Sequence, residues 1–179
     1  PFTRGRERSR HMVTILSETN ILLSQGVKEV CLLGQNVNTF HDISKESAEL
    51  YPTSIYQPSS DGFNNMFKGK TRNAPGARFS DLLCEVSDLS PELRIRFTSP
   101  HPKDFPLDVL NIIKERNNIC KSLHMPAQSG NTEVLKRMRR GYTREAYIEL
   151  VERAREHIPG VTISTDMITG FCGETEEEH

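Results

Sequence analysis

No long hydrophobic run occurs in this 179-residue sequence; the longest apolar stretches, such as Val30-Cys31-Leu32-Leu33, are far too short for a helix to cross a bilayer. Close pairs of cysteines are missing too. Cys31, Cys84, Cys120 and Cys172 lie 53, 36 and 52 residues apart, without the short spacing that clamps a metal. With no secretory context to favour disulfides, buried free thiols are expected, and no metal site is assigned. A nucleophile elbow, a phosphate loop and a Ser-His-Asp set are also lacking. The first residue is not Met, and the last stretch, Gly173-Glu174-Thr175-Glu176-Glu177-Glu178-His179, resembles the start of a helix. Thr175 and Glu178 have the spacing of a capping box, in which each side chain satisfies a free backbone N–H of the other. Both ends are therefore expected to be internal to a larger protein, and no targeting segment is readable.

What is present describes one soluble domain, or most of one. Hydrophobic residues make up 35 % of the chain and the formal net charge is -1. The charge is uneven: Arg4, Arg6, Arg8 and Arg10 crowd the first ten residues, and Lys136, Arg137, Arg139, Arg140 and Arg144 form a second basic cluster. Such clusters can meet phosphates, although charge runs more often only solvate a surface.

Helical and extended patterns alternate. Residues 12–25 predict a helix with Met12, Ile15, Thr19, Leu22 and Leu23 on one side and Gly26 as its stop. Residues 29–34 predict a short buried strand. A helix follows at 79–89, with Phe79, Leu82, Leu83, Val86 and Leu89 inward, and then an alternating strand at 93–98. Next come a helix at 107–116, a strand at 119–124, and helices at 132–140 and 143–157. The last of these carries the stripe Tyr147, Leu150, Val151, Ala154 and Ile158, and a final strand occupies 161–168. Helices of this length between short apolar strands are the pattern of βα units on a parallel sheet, part of a barrel or of a doubly wound fold. Residues 43–77 break the pattern: they are polar, lack a period and hold three Pro and three Gly. They are read as an inserted, mobile loop.

Ligands of parallel βα arrays gather at the carboxyl ends of the strands. Here those ends are Gly34-Gln35-Asn36-Val37-Asn38, Thr98-Ser99-Pro100-His101-Pro102, His124-Met125-Pro126-Ala127-Gln128-Ser129-Gly130-Asn131 and Asp166-Met167-Ile168-Thr169-Gly170-Phe171-Cys172-Gly173-Glu174. Turn chemistry alone selects many of these residues, but four such loops at one rim favour a polar ligand site. His101, stiffened between two prolines, suits a structural role as well as an acid, base or donor role. His124 is expected to be a satisfied core histidine. Asp166, within an apolar strand, is expected to be a buried carboxylate that needs a partner or a ligand.

As strings, these segments resemble the radical S-adenosylmethionine tRNA methylthiotransferases. The resemblance rests on Pro1-Phe2-Thr3-Arg4-Gly5-Arg6-Glu7-Arg8-Ser9-Arg10, Leu32-Leu33-Gly34-Gln35-Asn36-Val37-Asn38, Arg96-Phe97-Thr98-Ser99-Pro100-His101-Pro102, Pro126-Ala127-Gln128-Ser129-Gly130 and Gly170-Phe171-Cys172-Gly173-Glu174-Thr175. They are similar to the branch acting on isopentenylated adenosine. Ala127, Cys172 and the run Met138-Arg139-Arg140-Gly141-Tyr142 resemble animal mitochondrial members, one of them named for association with a cyclin-dependent kinase activator.

The resemblance implies a partial (β/α) barrel of the radical S-adenosylmethionine type, truncated at both ends, that spans 1–179 and includes the 43–77 insertion. It implies a transferase that places a 2-methylthio group on a modified adenosine beside the anticodon, using S-adenosylmethionine and two 4Fe-4S clusters. The family's C-x3-C-x2-C motif, auxiliary-cluster domain, last barrel strands and RNA-binding domain are not in these residues, so this stretch alone is expected to be inactive. Cofactor contacts are implied for Gln35, Asn36, Ser99, Gln128, Ser129, Asp166, Ile168 and Gly170, and RNA contacts for Arg4, Arg6 and Arg8. The partners implied are tRNA and a kinase activator, with no membrane, in the mitochondrion. A non-catalytic interaction protein that binds the kinase activator is the alternative. An aldolase-like barrel is disfavoured, because no strand carries a Lys at its carboxyl end.

Overall fold

The computed structural model describes residues 8–53, 63 and 74–179. In chain order they form α1 (Met12–Ser24), β1 (Glu29–Leu32), β2 (His41–Asp42), α2 (Lys45–Leu50), β3 (Ala77–Arg78), α3 (Phe79–Asp88) and β4 (Arg94–Phe97). They continue with α4 (Leu107–Glu115), β5 (Ser122–His124), α5 (Thr132–Arg137), α6 (Arg144–His157) and β6 (Thr162–Ser164). The alternation expected from periodicity is present, with each strand shorter than its apolar run.

Among the described residues the chain is mixed α/β, with parallel strands and no closed barrel. β1 lies beside β4 in register from Glu29↔Arg94 to Leu32↔Phe97, and β5 lies beside β6 from Ser122↔Thr162 to His124↔Ser164. A parallel bridge between Ile95 and Ile119 joins the two pairs, and one between Gln128 and Met167 extends the second. Neighbouring strands thus follow one another along the chain, separated by helices, as βα connections require.

Only one face of these strands is covered. On β4, Ile95 and Phe97 are buried while Arg94 and Arg96 are exposed. Val30, Leu32, Leu123 and Ile163 point the same way as Ile95, into a core with Leu83 and Val86 of α3, Leu110 and Ile113 of α4, Leu135 of α5, and Leu150 and Ala154 of α6. Burying one leucine-sized side chain in such a core stabilises the fold by about 1.5–3 kcal/mol. The other face carries Glu29, Cys31, Arg94, Arg96, Ser122 and Ser164, all exposed. This corrects the expectation that residues 29–34 form a buried strand: Glu29 and Cys31 face solvent, and Leu33 is 77 % exposed. It corrects the thiol expectation as well, since Cys120 is buried but Cys31 and Cys172 are exposed.

The inserted loop expected at 43–77 carries regular structure at its described edges. Ser44 caps α2 by accepting from the Ser47 N–H, and β2 and β3 pair antiparallel at the base of the insertion. Six helical residues and two-residue strands are too short to show a period. Gly76 sits where a Cβ would collide with the Asp42 carbonyl oxygen, so the pairing admits only glycine there. Phe63, 6 % exposed, packs against Tyr142 with ring centroids 5.6 Å apart. Residues 54–62 and 64–73 lie outside the described residues.

Asp42 fastens this insertion to α1. The helix has no side-chain cap of its own, and the buried Asp42 carboxylate accepts from the Met12 N–H (2.7 Å) and the Ser44 N–H (3.0 Å). Burial raises the carboxyl, but the hydrogen bonds from Met12 and Ser44 outweigh it and hold Asp42 below its ordinary value. A depressed carboxylate stabilises above its unfolded pKa, so this contribution is lost as pH falls below about 4. Asp42→Ala is expected to cost about 2 kcal/mol in urea unfolding at neutral pH and to remove that acid-sensitive part; an unchanged midpoint would refute the cap.

Candidate functional site

The four carboxyl-end loops meet as two hydrogen-bonded pairs. In the first pair, Val37 N–H donates to the Ser99 carbonyl (3.4 Å). The buried Asn38 donates through Nδ2 to the carbonyls of His101 (3.0 Å) and Asp104 (2.7 Å), and its Oδ1 accepts from the His101 N–H (2.8 Å). Asn36 Nδ2 donates to Asp104 Oδ2 (3.2 Å), whereas its Oδ1 is buried with no partner among the described residues. A buried carbonyl-type oxygen left unpaired is costly and is a recognised mark of a missing ligand or water. Gln35 is exposed.

In the second pair, Gln128 N–H donates to the Asp166 carbonyl (3.0 Å) and Ile168 N–H to the Gln128 carbonyl (2.8 Å). Ala127 N–H reaches Thr165 Oγ1 at 2.8 Å. Ser129 is buried, and its Oγ accepts from the Asn131 N–H while Asn131 Oδ1 caps α5 through Glu133 and Val134. Ile168 is 45 % exposed and Gly170 turns at φ +69 with open space beyond its Cα.

Tyr142 joins the two pairs. Its hydroxyl donates to the Pro126 and Ala127 carbonyls at 3.2 Å, and its ring meets His101 edge-on at 5.9 Å. Tyr147 stacks on it and donates to the Met125 carbonyl at 2.7 Å. Asn38, Asp104 and Tyr142 therefore organise the rim without being singled out in the sequence. The usable signal was Tyr142 just after a Gly, at the mouth of a helix.

Two expected site residues share a second property. Among the described residues only Ser99 (φ +58), Gln128 (φ +70) and Arg139 (φ +57) are non-glycine and left-handed. Each such residue costs on the order of 1–3 kcal/mol and tends to sit where function holds the backbone. Ser99 and Gln128 lie on different loops of the same rim.

Asp166 and His124 differ from expectation. β6 ends at Ser164 and its outer face is uncovered, so the Asp166 side chain is 71 % exposed rather than buried. His124 belongs to that open face, not to the core: its Nδ1 is 2.9 Å from Ser164 Oγ and its Nε2 3.4 Å from Asp166 Oδ2. Arg8 is exposed, whereas Arg4 and Arg6 lie outside the described residues.

The segment after Ile168 is tied down by one side chain. Arg137 donates to both oxygens of Glu178 (2.9 and 2.7 Å) and to the Gly173 carbonyl (3.3 Å), the only hydrogen bonds from residues 169–179 to other described residues. The capping box forms: Thr175 N–H donates to Glu178 Oε2 and Glu178 N–H to Thr175 Oγ1. The Arg137 and Thr175 bonds hold the Glu178 carboxyl down at about 2.

No group of three His, Cys, Asp or Glu side chains among the described residues converges to hold a metal. No helix among them is long and apolar enough to cross a membrane. A concavity lined by Pro91, Glu92, Arg94, Asn117, Asn118 and Cys120 opens at the amino end of β4, opposite the rim, and takes no part in the site.

Comparison with known proteins gives the site a context. Residues 2–179 match the profile of the Radical SAM superfamily. The chain is 58 % identical over 183 residues to the mitochondrial tRNA methylthiotransferase CDK5RAP1 of Rattus norvegicus, covering all of this chain and 30 % of the relative. It is 57 % identical over 179 residues to a CDK5RAP1-like protein of Oryza sativa subsp. japonica, covering 100 % of this chain and 29 % of that protein. It is 42 % identical over 179 residues to a tRNA-2-methylthio-N(6)-dimethylallyladenosine synthase of Prosthecochloris aestuarii, with 100 % and 34 % covered. The chain thus spans about a third of the length of the curated relatives it matches.

His101 gives the rim a pH signature. Burial first, and then the charges of Arg140 and Lys103, push its pKa down to about 3 from an ordinary 6.5. A base depressed on folding binds more protons when unfolded, so stability falls as pH drops from about 6.5 towards 3. His41, lowered by burial and Arg78, acts in the same direction. His101→Gln is expected to flatten, without abolishing, the slope of unfolding free energy between pH 6.5 and 5; an unaltered slope would mean that the ring is not held neutral.

Proposed function

Because the chain belongs to the Radical SAM superfamily, we propose that its carboxyl-end rim is the S-adenosylmethionine wall of a tRNA methylthiotransferase acting on isopentenylated adenosine. Members of this family use S-adenosylmethionine and an iron–sulfur cluster. The sequential parallel strands with one covered face fit an arc of a (β/α) barrel, whose uncovered face would line the interior. The relatives named as mitochondrial support work in that compartment, on a tRNA substrate.

The observation that carries the cofactor reading is the orphaned, buried Asn36 Oδ1 on the same rim as the left-handed Ser99 and Gln128. The residues fit the ligand's chemistry. Asn36 offers an acceptor to the methionine ammonium, with Gln35 beside it. Ser99, Gln128 and Ser129 offer hydroxyl, amide and backbone groups to the methionine carboxylate or the ribose. Exposed Ile168, with open space at Gly170, suits the flat adenine, and Asp166 supplies an accepting carboxylate. Bound there, S-adenosylmethionine would supply the radical precursor and the methyl group. The work of this chain is to bind and orient it.

The iron–sulfur cluster is a different matter. The four cysteines are scattered over both ends of the strands and an outer helix, and Arg94 Nε lies 3.1 Å from Cys120 Sγ. They do not fit a cluster, and no step is assigned to one here.

Asp166 separates this reading from a purely structural rim. Its carboxylate is exposed, so Asp166→Ala should leave the melting temperature within about 1 °C. If it accepts a hydrogen bond from the ligand, the same change should weaken S-adenosylmethionine binding about 10- to 100-fold, the equivalent of about 1.5–3 kcal/mol. A thermal scan of the full-length protein reads the first and calorimetric titration the second. Wild-type protein that takes up no S-adenosylmethionine would refute the proposed function; equal affinities would remove Asp166 from the site.

A further inference from the structure

Of the three left-handed non-glycine residues, the rim site accounts for Ser99 and Gln128 but not for Arg139. Arg139 follows α5 in a tight helix stop: its N–H donates to the Lys136 carbonyl (2.9 Å), and the Arg140 N–H reaches back to Leu135 (3.0 Å). Glycine is the usual occupant of the left-handed position in this motif, because any Cβ there is strained. The fold would therefore be served better by glycine, and what glycine cannot supply is the guanidinium.

That guanidinium is exposed and makes no hydrogen bond or ion pair among the described residues. Its neighbours are engaged: Lys136 pairs with Glu133 at 2.7 Å and Arg137 with Glu178 at 2.7 Å. Arg140 turns inward, with Nε 3.5 Å from the Tyr142 hydroxyl, the same hydroxyl that donates to the Pro126 and Ala127 carbonyls of the rim. The strained turn thus leaves the Arg139 cation exposed and without a partner among the described residues, one position from Arg140, which reaches the rim through Tyr142, and outside the groups assigned to the cofactor.

We propose that Arg139 contacts the phosphodiester backbone of the RNA that presents its adenosine to this rim. The inference rests on the methylthiotransferase reading and adds to it a backbone anchor on the α5–α6 turn. Phosphate contacts position a nucleic acid without reading its bases, and they require a cation more than a precise geometry. An exposed arginine on a tight stop meets that need.

Three variants of the full-length protein test this. Arg139→Gly relieves the backbone and removes the charge; Arg139→Gln removes the charge but keeps the strain; Arg139→Lys keeps the charge. The glycine variant is expected to melt at a higher temperature than wild type yet bind tRNA more weakly, whatever the sequence. The slope of log Kd against log salt concentration should become shallower by roughly 1 for glycine and glutamine, and stay as in wild type for lysine. S-adenosylmethionine affinity should not move in any of them. Wild-type affinity and slope for tRNA in the glycine and glutamine variants would overturn the inference while leaving the cofactor reading intact. A parallel loss of S-adenosylmethionine affinity would overturn it in favour of a rim-supporting role. Failure of the wild-type protein to bind tRNA would overturn the methylthiotransferase reading on which it depends.

Discussion

A parallel strand has two faces, and in the described part of this chain helices cover only one of them. Ile95 and Phe97 sink under α3 and α4, which leaves Arg94 and Arg96 on the same strand in the open. Much of the chemistry of the molecule follows from that asymmetry. Glu29 can sit 3.1 Å from Arg96 and Cys31 beside it because the face needs no apolar lining. Further along the same face, His124, Ser164 and Asp166 come together at the carboxyl end of β5 and β6. Had the sheet been doubly covered, the charged groups Glu29, Arg94, Arg96 and Asp166 would each have faced a desolvation penalty on the order of several kcal/mol.

The rim at the end of that sheet is rigid in an unusual way. Its loops contain little regular structure, yet they are cross-linked by side chains whose polar atoms serve backbone groups: Asn38 on the His101 loop, Tyr142 on the 126–127 loop, Arg137 on the 173–178 segment. The Asn38 and Tyr142 links satisfy buried carbonyls that a loop could not otherwise pair. The strained residues Ser99 and Gln128 persist because these neighbours over-determine their positions. A rim held from outside leaves its inner atoms, such as Asn36 Oδ1, free for a ligand.

Much of this was legible in the sequence, and the exceptions share one cause. The nine elements of the βα pattern and the polar character of the four loops follow from periodicity and turn residues. So does the Thr175–Glu178 capping box, which forms as its spacing implies. Burial was the weak point. Asp166 looked buried because its neighbours are apolar, and Glu29 and Cys31 looked buried because their strand is; a linear string does not reveal that the second face of a sheet lies open. Cross-links such as Asn38 to Asp104, 66 residues apart, and the Asp42 cap on α1, 30 residues apart, are likewise invisible to local pattern. The structure places Asn36 and Ser99 on one loop pair, and Gln128, Asp166 and Ile168 on the other.

Under the proposed function the carboxyl-end rim, and not the concavity near Arg94 and Cys120, receives S-adenosylmethionine. Hydrogen–deuterium exchange of the full-length protein, with and without saturating S-adenosylmethionine, tests it most directly. Slowed exchange is expected, confined to residues 34–38, 98–101, 126–131 and 165–173. Protection confined to residues 91–94 and 117–120, with the rim unchanged, would contradict it.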